Sequence, residues 1–418
     1  MLGVDYVDLV EGERETLYDF RLRRRLSLDR AAKLFANFSL YGDVAFRRFE
    51  LGKRETLAEM FGEASLGEPL PLALQPFWLE SDLGLRSDVK QPPAVRKETI
   101  AGGAVRFRVD GEEVALFAPA AQAVPAELRR SFARFLRLRL PIHPDILAAI
   151  ELDGRLPQRL ILVSAAGGER RPLGLVLRRA GQLQGDYPLP APFVPRPLAG
   201  QAVDEEALSL RGLLPVMLDA VAGRRGNGPR PLADYRRAVD QALGQGQGFA
   251  ATLLLAEAAL QYGTAAGDCA TGPGWRAPCH DAEELGRKFA ADPRAALFYQ
   301  AQTAEPKDPA AAVAMWEGLK RDDVANGYVI DAFLADRLSA AGHRQDAMGA
   351  FSRALDGDAY LAGVYKELGD HFLRVSRTDL AWICYDLGRA LPGRAADDPL
   401  AAVDRLEEEL ASAYPDFF

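Results

Sequence analysis

Between Tyr18 and Leu28 apolar and charged side chains alternate. Tyr18, Phe20 and Leu22 fall on one face, and Asp19, Arg21 and Arg23 on the other. Beyond Arg24, Leu26 and Leu28 resume the apolar face, so 17–35 predicts a hairpin followed by a turn into a helix. The pattern returns at 104–118, where Val105, Phe107 and Val109 alternate with Arg106 and Arg108. Asp110-Gly111 then supplies a tight turn, and Val114 and Leu116 come back on the next strand. Residues 159–179 predict one more strand pair around a Gly-rich turn. An apolar face opposite a charged face is what an antiparallel sheet with one solvated side requires. A helix interrupts the strands at 124–140. Pro125 sits at a permitted first-turn position, Leu128, Phe132, Phe135 and Leu136 form a stripe, and Arg129, Arg130, Arg134 and Arg137 take the other side. It reads as backing for the sheet.

The stretch 187–200 carries five prolines between Tyr187 and Pro197, a composition that favours extended backbone and marks a boundary. Beyond it the two-residue alternation gives way to helical periods rich in Ala and Leu. The reading is therefore α+β. A β-rich antiparallel sheet domain with packed helices occupies 1–186, a Pro-rich linker 187–204, and an all-α domain 205–418.

Within the helical half a period of 34 residues is legible. Tyr365, Leu368, Gly369 and Phe372, followed by Ala381, Tyr385 and Gly388, stand 34 residues beyond a matching set. That set is Leu334, Ala335 and Leu338, followed by Ala347, Phe351 and Ala354. Small residues let two helices approach while the large ones fill the space between them. A weaker copy is Ala312-x-x-x-Trp316-x-x-Leu319. The period and residue types resemble the tetratricopeptide repeat, most clearly over 328–394. That resemblance implies a helical solenoid whose groove, lined by Asp336, Lys366, Asp370 and Arg374, binds a protein or peptide partner.

The N-terminal half carries Asp19, Lys33-x-Phe35 and Ile100-Ala101-Gly102 in that order. In style it resembles the half-barrel proteins related to outer-membrane lipoprotein carriers. The resemblance implies a curved antiparallel sheet, covered by helices, that holds a lipid or other apolar ligand.

Charge and composition narrow the function. A net charge of −8 argues against nucleic acid, whose phosphates need a basic face. No run of 18 apolar residues crosses a membrane. The N-terminal residues open directly into strand-like sequence without the basic flank and apolar stretch of a signal peptide, as a processed chain would. The four histidines are scattered. His143 reads as structural, and His343 and His371 as surface or groove positions. No nucleophile elbow, phosphate loop or metal-binding pair is present, so no catalytic residue, metal ligand or cofactor is assigned. The Gly-rich stretches 223–231 and 244–249 read as helix–helix connections.

Two of the three cysteines, Cys269 and Cys279, flank a Gly/Pro-rich loop, and with His280 they supply at most three metal ligands. Their spacing is not Cys-x-x-Cys. A disulfide closing the loop would stabilise the fold by about 3 kcal/mol. Such a bond persists only in an oxidising compartment, which points to the periplasm or the exterior. Cys384 reads as a buried free thiol. Two functions follow as expectations. One is a non-catalytic envelope scaffold, with a ligand in the β domain and a partner on the repeats. The other is a hydrolase with a carboxylate-based site in the β domain or at the domain junction.

Overall fold

The computed structural model describes residues 2–49, 95–109, 111–139, 142–164, 171–176, 194–195, 205–263, 292–303, 309–320, 326–393 and 399–418. The chain forms two compact units, one of Met1–Ala199 with Glu408–Phe418, the other of Gly200–Glu407. The helical domain read from sequence thus gives up its last eleven residues, 408–418, to the first unit.

The first unit opens with a meander of β1 (Tyr6–Glu11), β2 (Arg14–Asp19), β3 (Arg24–Asp29) and β4 (Leu34–Ser39), each strand antiparallel to the last. The last two turns are built alike, ten residues apart. Asp19 accepts a hydrogen bond from the N–H of Leu22 and Asp29 one from Ala32, both at 2.8 Å. Arg23 and Lys33 then take left-handed backbone at φ 55° and reverse the chain. This corrects the helix expected after Leu28. An Asp side chain bonding the N–H three residues on serves a helix start or a tight turn equally, and the left-handed residue ends the turn after one cycle. The helix comes one strand later, α1 over 40–49. Leu22, expected on the apolar face, is exposed at the turn.

Part of the Pro-rich stretch joins this sheet. β10 (Val194–Pro195) lies parallel to β4 at its edge, where proline's missing donor costs little.

A second five-stranded sheet orders β5 (Val95–Thr99), β6 (Val105–Val109), β7 (Glu112–Ala123), β8 (Arg155–Ser164) and β9 (Arg171–Val176) as consecutive antiparallel neighbours. The strands therefore divide between two open sheets. Gly102 and Gly103, at positive φ, turn the chain between β5 and β6. A bulge after Phe107 shifts the β6–β7 register. Ala115 and Phe117, rather than Val114 and Leu116, consequently share the buried face with Val105 and Phe107.

Helix α2 (Ala126–Arg139) packs against β1 and is followed by α3 (Pro144–Asp153), which packs on β7 and β8. Its buried stripe is Ser131, Ala133, Phe135, Leu136 and Leu138, while Leu128 and Phe132 are only half-buried. Phe135 meets Tyr18 of β2 edge-on at 5.5 Å, and the Ser131 hydroxyl donates to the Val4 carbonyl. His143 is structural, as expected. It is the N-cap of α3, accepting from the N–H of Asp145 at 3.1 Å.

The second unit begins with α4 (Glu205–Val221), α5 (Leu232–Gly244) and α6 (Gly248–Tyr262). The Gly-rich stretches 223–231 and 244–249 connect these helices. Three further pairs follow: α7 (Pro293–Thr303) with α8 (Pro309–Lys320), α9 (Gly327–Ala340) with α10 (Arg344–Gly357), and α11 (Ala362–Arg374) with α12 (Thr378–Arg389). The pairs recur every 34 or 35 residues along the sequence. Ala312, Trp316 and Leu319 are fully buried in α8, as Ala347, Phe351 and Ala354 are in α10. Trp316 stacks on Phe333 of α9 at 5.1 Å. The array is not left bare. α6 packs against the first helices α7, α9 and α11, and α4 against the second helices α10 and α12. The last helix, α13 (Ala401–Ala413), is held by Glu407, which accepts from Trp382 at 2.8 Å and from Arg389 at 3.0 Å.

Gly369 decides how closely α11 and α12 approach, because a Cβ there would stand 2.1 Å from Cε1 of Tyr385. Gly369→Ala is expected to lower stability in urea unfolding by about 2 kcal/mol. Gly349→Ala, in α10, meets nothing closer than Arg353 at 3.5 Å and is expected to raise it by about 0.5–1 kcal/mol.

Candidate functional site

The four residues read from sequence as a partner groove come together on α9 and α11. Arg374 donates to Asp336 at 2.7 Å, linking the two helices, and to the Ser339 hydroxyl at 2.9 Å. Lys366 donates to Asp370 at 2.7 Å and to Glu367 at 2.9 Å, and Asp370 also accepts from the Tyr385 hydroxyl at 2.6 Å. Asp336 and Asp370 are one 34-residue repeat apart, so the acid recurs at an equivalent position. On α11, Gly363, Lys366, Asp370 and Arg374 are spaced three or four apart and share a face. The result is a half-exposed stripe of alternating charge, every member of it engaged.

Sequence reading missed what lies beneath. His371, expected at the surface or in the groove, is buried among Ser339, Phe351 and Phe372, with Nδ1 2.8 Å from the Ser339 hydroxyl. Because that hydroxyl accepts from Arg374, its one proton is free for Nδ1, which fits a neutral imidazole. Burial first, then the positive charges of Arg374 and Arg344, pushes His371 down to about 4. Burial pushes the Glu367 carboxyl up, against the nearby Lys366 ammonium. His343, in contrast, is exposed at the start of α10.

A second polar cluster joins α5, α6 and the pairs. Gln261 donates through Nε2 to the Arg230 carbonyl at 3.1 Å, which leaves its Oε1 as an acceptor 2.9 Å from the Tyr235 hydroxyl. That hydroxyl also stands 2.8 Å from Oε1 of buried Glu257. The Tyr235 hydroxyl thus stands between two acceptors, and the Tyr328 hydroxyl also bonds Glu257. Burial, the largest influence on Glu257, pushes its pKa up, and the two tyrosine hydrogen bonds oppose it. Burial and the Glu257 charge together raise Tyr235 and Tyr328. No signal in the chain marks this cluster except an acid in the otherwise apolar run of α6.

The third buried acidic group lies in the first unit. Asp8 of β1 and Glu15 of β2 share the sheet face turned away from Tyr18, and Glu15 pairs with Arg30 at 2.6 Å. Burial, then the Glu15 charge, pushes Asp8 up to about 6. Asp331 is neutralised differently, accepting from Lys320 at 2.5 Å and Arg353 at 2.9 Å. Cys384 is a buried free thiol, and burial holds its pKa well above the ordinary range. Cys269 and Cys279, with the disulfide expected of them, lie outside the described residues. Among the described residues no group of three or more His, Cys, Asp or Glu is arranged for a metal, and no helix is long and apolar enough to cross a membrane.

No protein family, curated protein or solved structure matches this chain. The stripe therefore has to be read from its own chemistry.

The depressed pKa of His371 sets a pH dependence. Between about pH 4 and 6.5 the unfolded chain binds the extra proton, so this contribution to stability is complete above about 6.5 and is lost as pH falls toward 4. His371→Gln is expected to flatten thermal stability over that window, by up to about 3 kcal/mol. An unchanged slope in the variant would contradict the assignment.

Proposed function

We propose that this chain is a non-catalytic scaffold of the cell envelope, in the periplasm or outside the cell. Its helical repeats dock a protein or peptide partner, and its β unit takes an apolar or polymeric ligand. The repeat pairs form a tetratricopeptide-like solenoid in this reading. The observation that carries it is the stripe on α11. At one end of the shared face, Gly363 lets α6 approach so closely that a Cβ would meet the Leu260 carbonyl at 3.0 Å. The same face then continues as Lys366, Asp370 and Arg374, each partly exposed and each paired within the chain. A face that accepts one helix at one end and ends in exchangeable ion pairs at the other suits a partner segment with its own alternating charges.

Inverting one pair of the stripe tests this, at the cost of the Arg374 bond to Ser339. Asp336→Arg with Arg374→Asp keeps an ion pair between α9 and α11 and leaves surface charge sums unchanged. A photo-crosslinker at the exposed end of the stripe is expected to capture a discrete partner in intact cells with the wild-type chain. At least about a tenfold loss is expected with the inverted one. Equal capture by both would rule out the stripe.

The compartment has its own test. The denatured, unreduced protein is expected to show one free thiol, that of Cys384. Three free thiols would remove the Cys269–Cys279 bridge and with it the case for an oxidising compartment.

A second reading, a hydrolase, is favoured by one observation, the Asp8–Glu15 pair with its raised Asp8. Acid–base chemistry wants two carboxyls poised apart in pKa. Asp8 is 3% and Glu15 1% exposed, however, and Glu15 is held by Arg30, so the pair serves the sheet interior first.

A further inference from the structure

Residues 414–418, which belong to the first unit, are held there almost wholly by rings and guanidinium groups. Pro415–Phe417 form a single 3-10 turn whose backbone bonds are internal, Phe417 N–H to the Tyr414 carbonyl at 3.1 Å and Phe418 N–H to that of Pro415 at 3.3 Å. Arg137 of α2 donates to the Asp416 carbonyl at 2.7 Å, lies 3.7 Å from its carboxylate, and covers the Phe417 ring at 5.5 Å. Phe417 is fully buried. Phe418 packs on Tyr41 of α1 with ring centroids 4.7 Å apart, and Arg23 lies over both rings at 5.7 and 5.4 Å while donating to the Tyr41 hydroxyl. The left-handed backbone of Arg23, at the β2–β3 turn, brings that guanidinium to the site, and the Arg23 carbonyl accepts from Leu40 at the start of α1. Three elements thus converge on one Asp-Phe-Phe segment.

We propose that Arg23, Tyr41 and Arg137 form a recognition site for a peptide of one acidic residue followed by two aromatic ones. The site is filled in cis by Asp416-Phe417-Phe418 and is open to the same segment of a second copy of this chain. Two features make the segment a ligand as well as a piece of fold. Its backbone turn closes on itself and Pro415 fixes one φ, so a free peptide has less to order when it binds. Its recognition uses cation–π and ring contacts and one charge pair, interactions that do not depend on chain connectivity.

The test uses the full chain and a fluorescent peptide of residues 412–418 capped at both ends. Phe417→Ala with Phe418→Ala empties the two ring positions of the site. The emptied chain, shown folded by circular dichroism, is expected to bind the peptide saturably and about tenfold or more tighter than the wild-type chain, whose site is occupied. Adding Arg137→Glu is expected to weaken that binding about tenfold, and a peptide carrying Asp416→Arg to recover part of the loss. If the double variant does not fold, Phe418→Ala alone, which removes the less buried ring, takes its place with the same readouts. Binding no tighter than to wild type, or binding indifferent to Arg137→Glu, would overturn the proposal.

Discussion

The helical unit depends on the close approach of the two helices within each pair, which is possible only where a small residue meets a large one. Gly369 against Tyr385 is the tightest case, and Gly388 against Tyr365 repeats it from the other side, with a Cβ there reaching 2.9 Å. Tyrosine is the filler at both contacts, so its hydroxyl must also be placed. Tyr385 donates to Asp370 and Tyr365 to the Ala359 carbonyl at 2.9 Å. The packing requirement therefore fixes Asp370 from below, and the carboxylate it holds upright is the one that meets Lys366 on the surface. Core packing and the charged stripe are a single arrangement seen at two depths.

A pair of helices packed this way still presents apolar surface on both sides. α4 and α6 cover it, and α6 does so at a cost, because it carries Glu257 into the interior. A buried carboxylate is expensive, and Glu257 stands against the hydroxyls of Tyr235 and Tyr328 while burial pushes its pKa up. Asp331 solves the same problem with Lys320 and Arg353. The contrast follows from location. Asp331 lies near α8 and α10, whose long side chains reach it from solvent, whereas Glu257 faces tyrosines.

Much of this was legible. Periodicity of two and of 3.6 separates the halves, because burying one face imposes it on any strand or helix. The 34-residue spacing survived because buried small and large positions recur, Ala335 and Phe351 standing where Gly369 and Tyr385 do. What failed did so for local reasons. The Asp29 turn used helix-start chemistry, the bulge after Phe107 exchanged the faces of β7, and the Ala-rich sequence of 205–262 predicts helices without saying which of the later ones they pack on. Asp336, Lys366, Asp370 and Arg374, which lie side by side on α9 and α11, were picked out by repeat position. Ser339, His371 and Tyr385, which orient them, were not, since a polar residue under a charged one leaves no pattern along the chain.

The two surfaces proposed to bind differ in the physics of exchange. On the stripe every charge already has a partner within the chain, so an incoming segment replaces ion pairs rather than adding them. Exposed pairs contribute about 1 kcal/mol or less each and weaken with salt. Such a surface discriminates by the order of its charges and releases readily. The clamp around Phe417 buries an aromatic ring against arginine and tyrosine, a contact that depends on area and shape more than on ionic strength. A sheet turn, α1 and α2 all contribute to it, so it forms only when the first unit is folded. The two proposals thus differ in kind, one a transient, charge-selected contact and the other a lasting, ring-selected one.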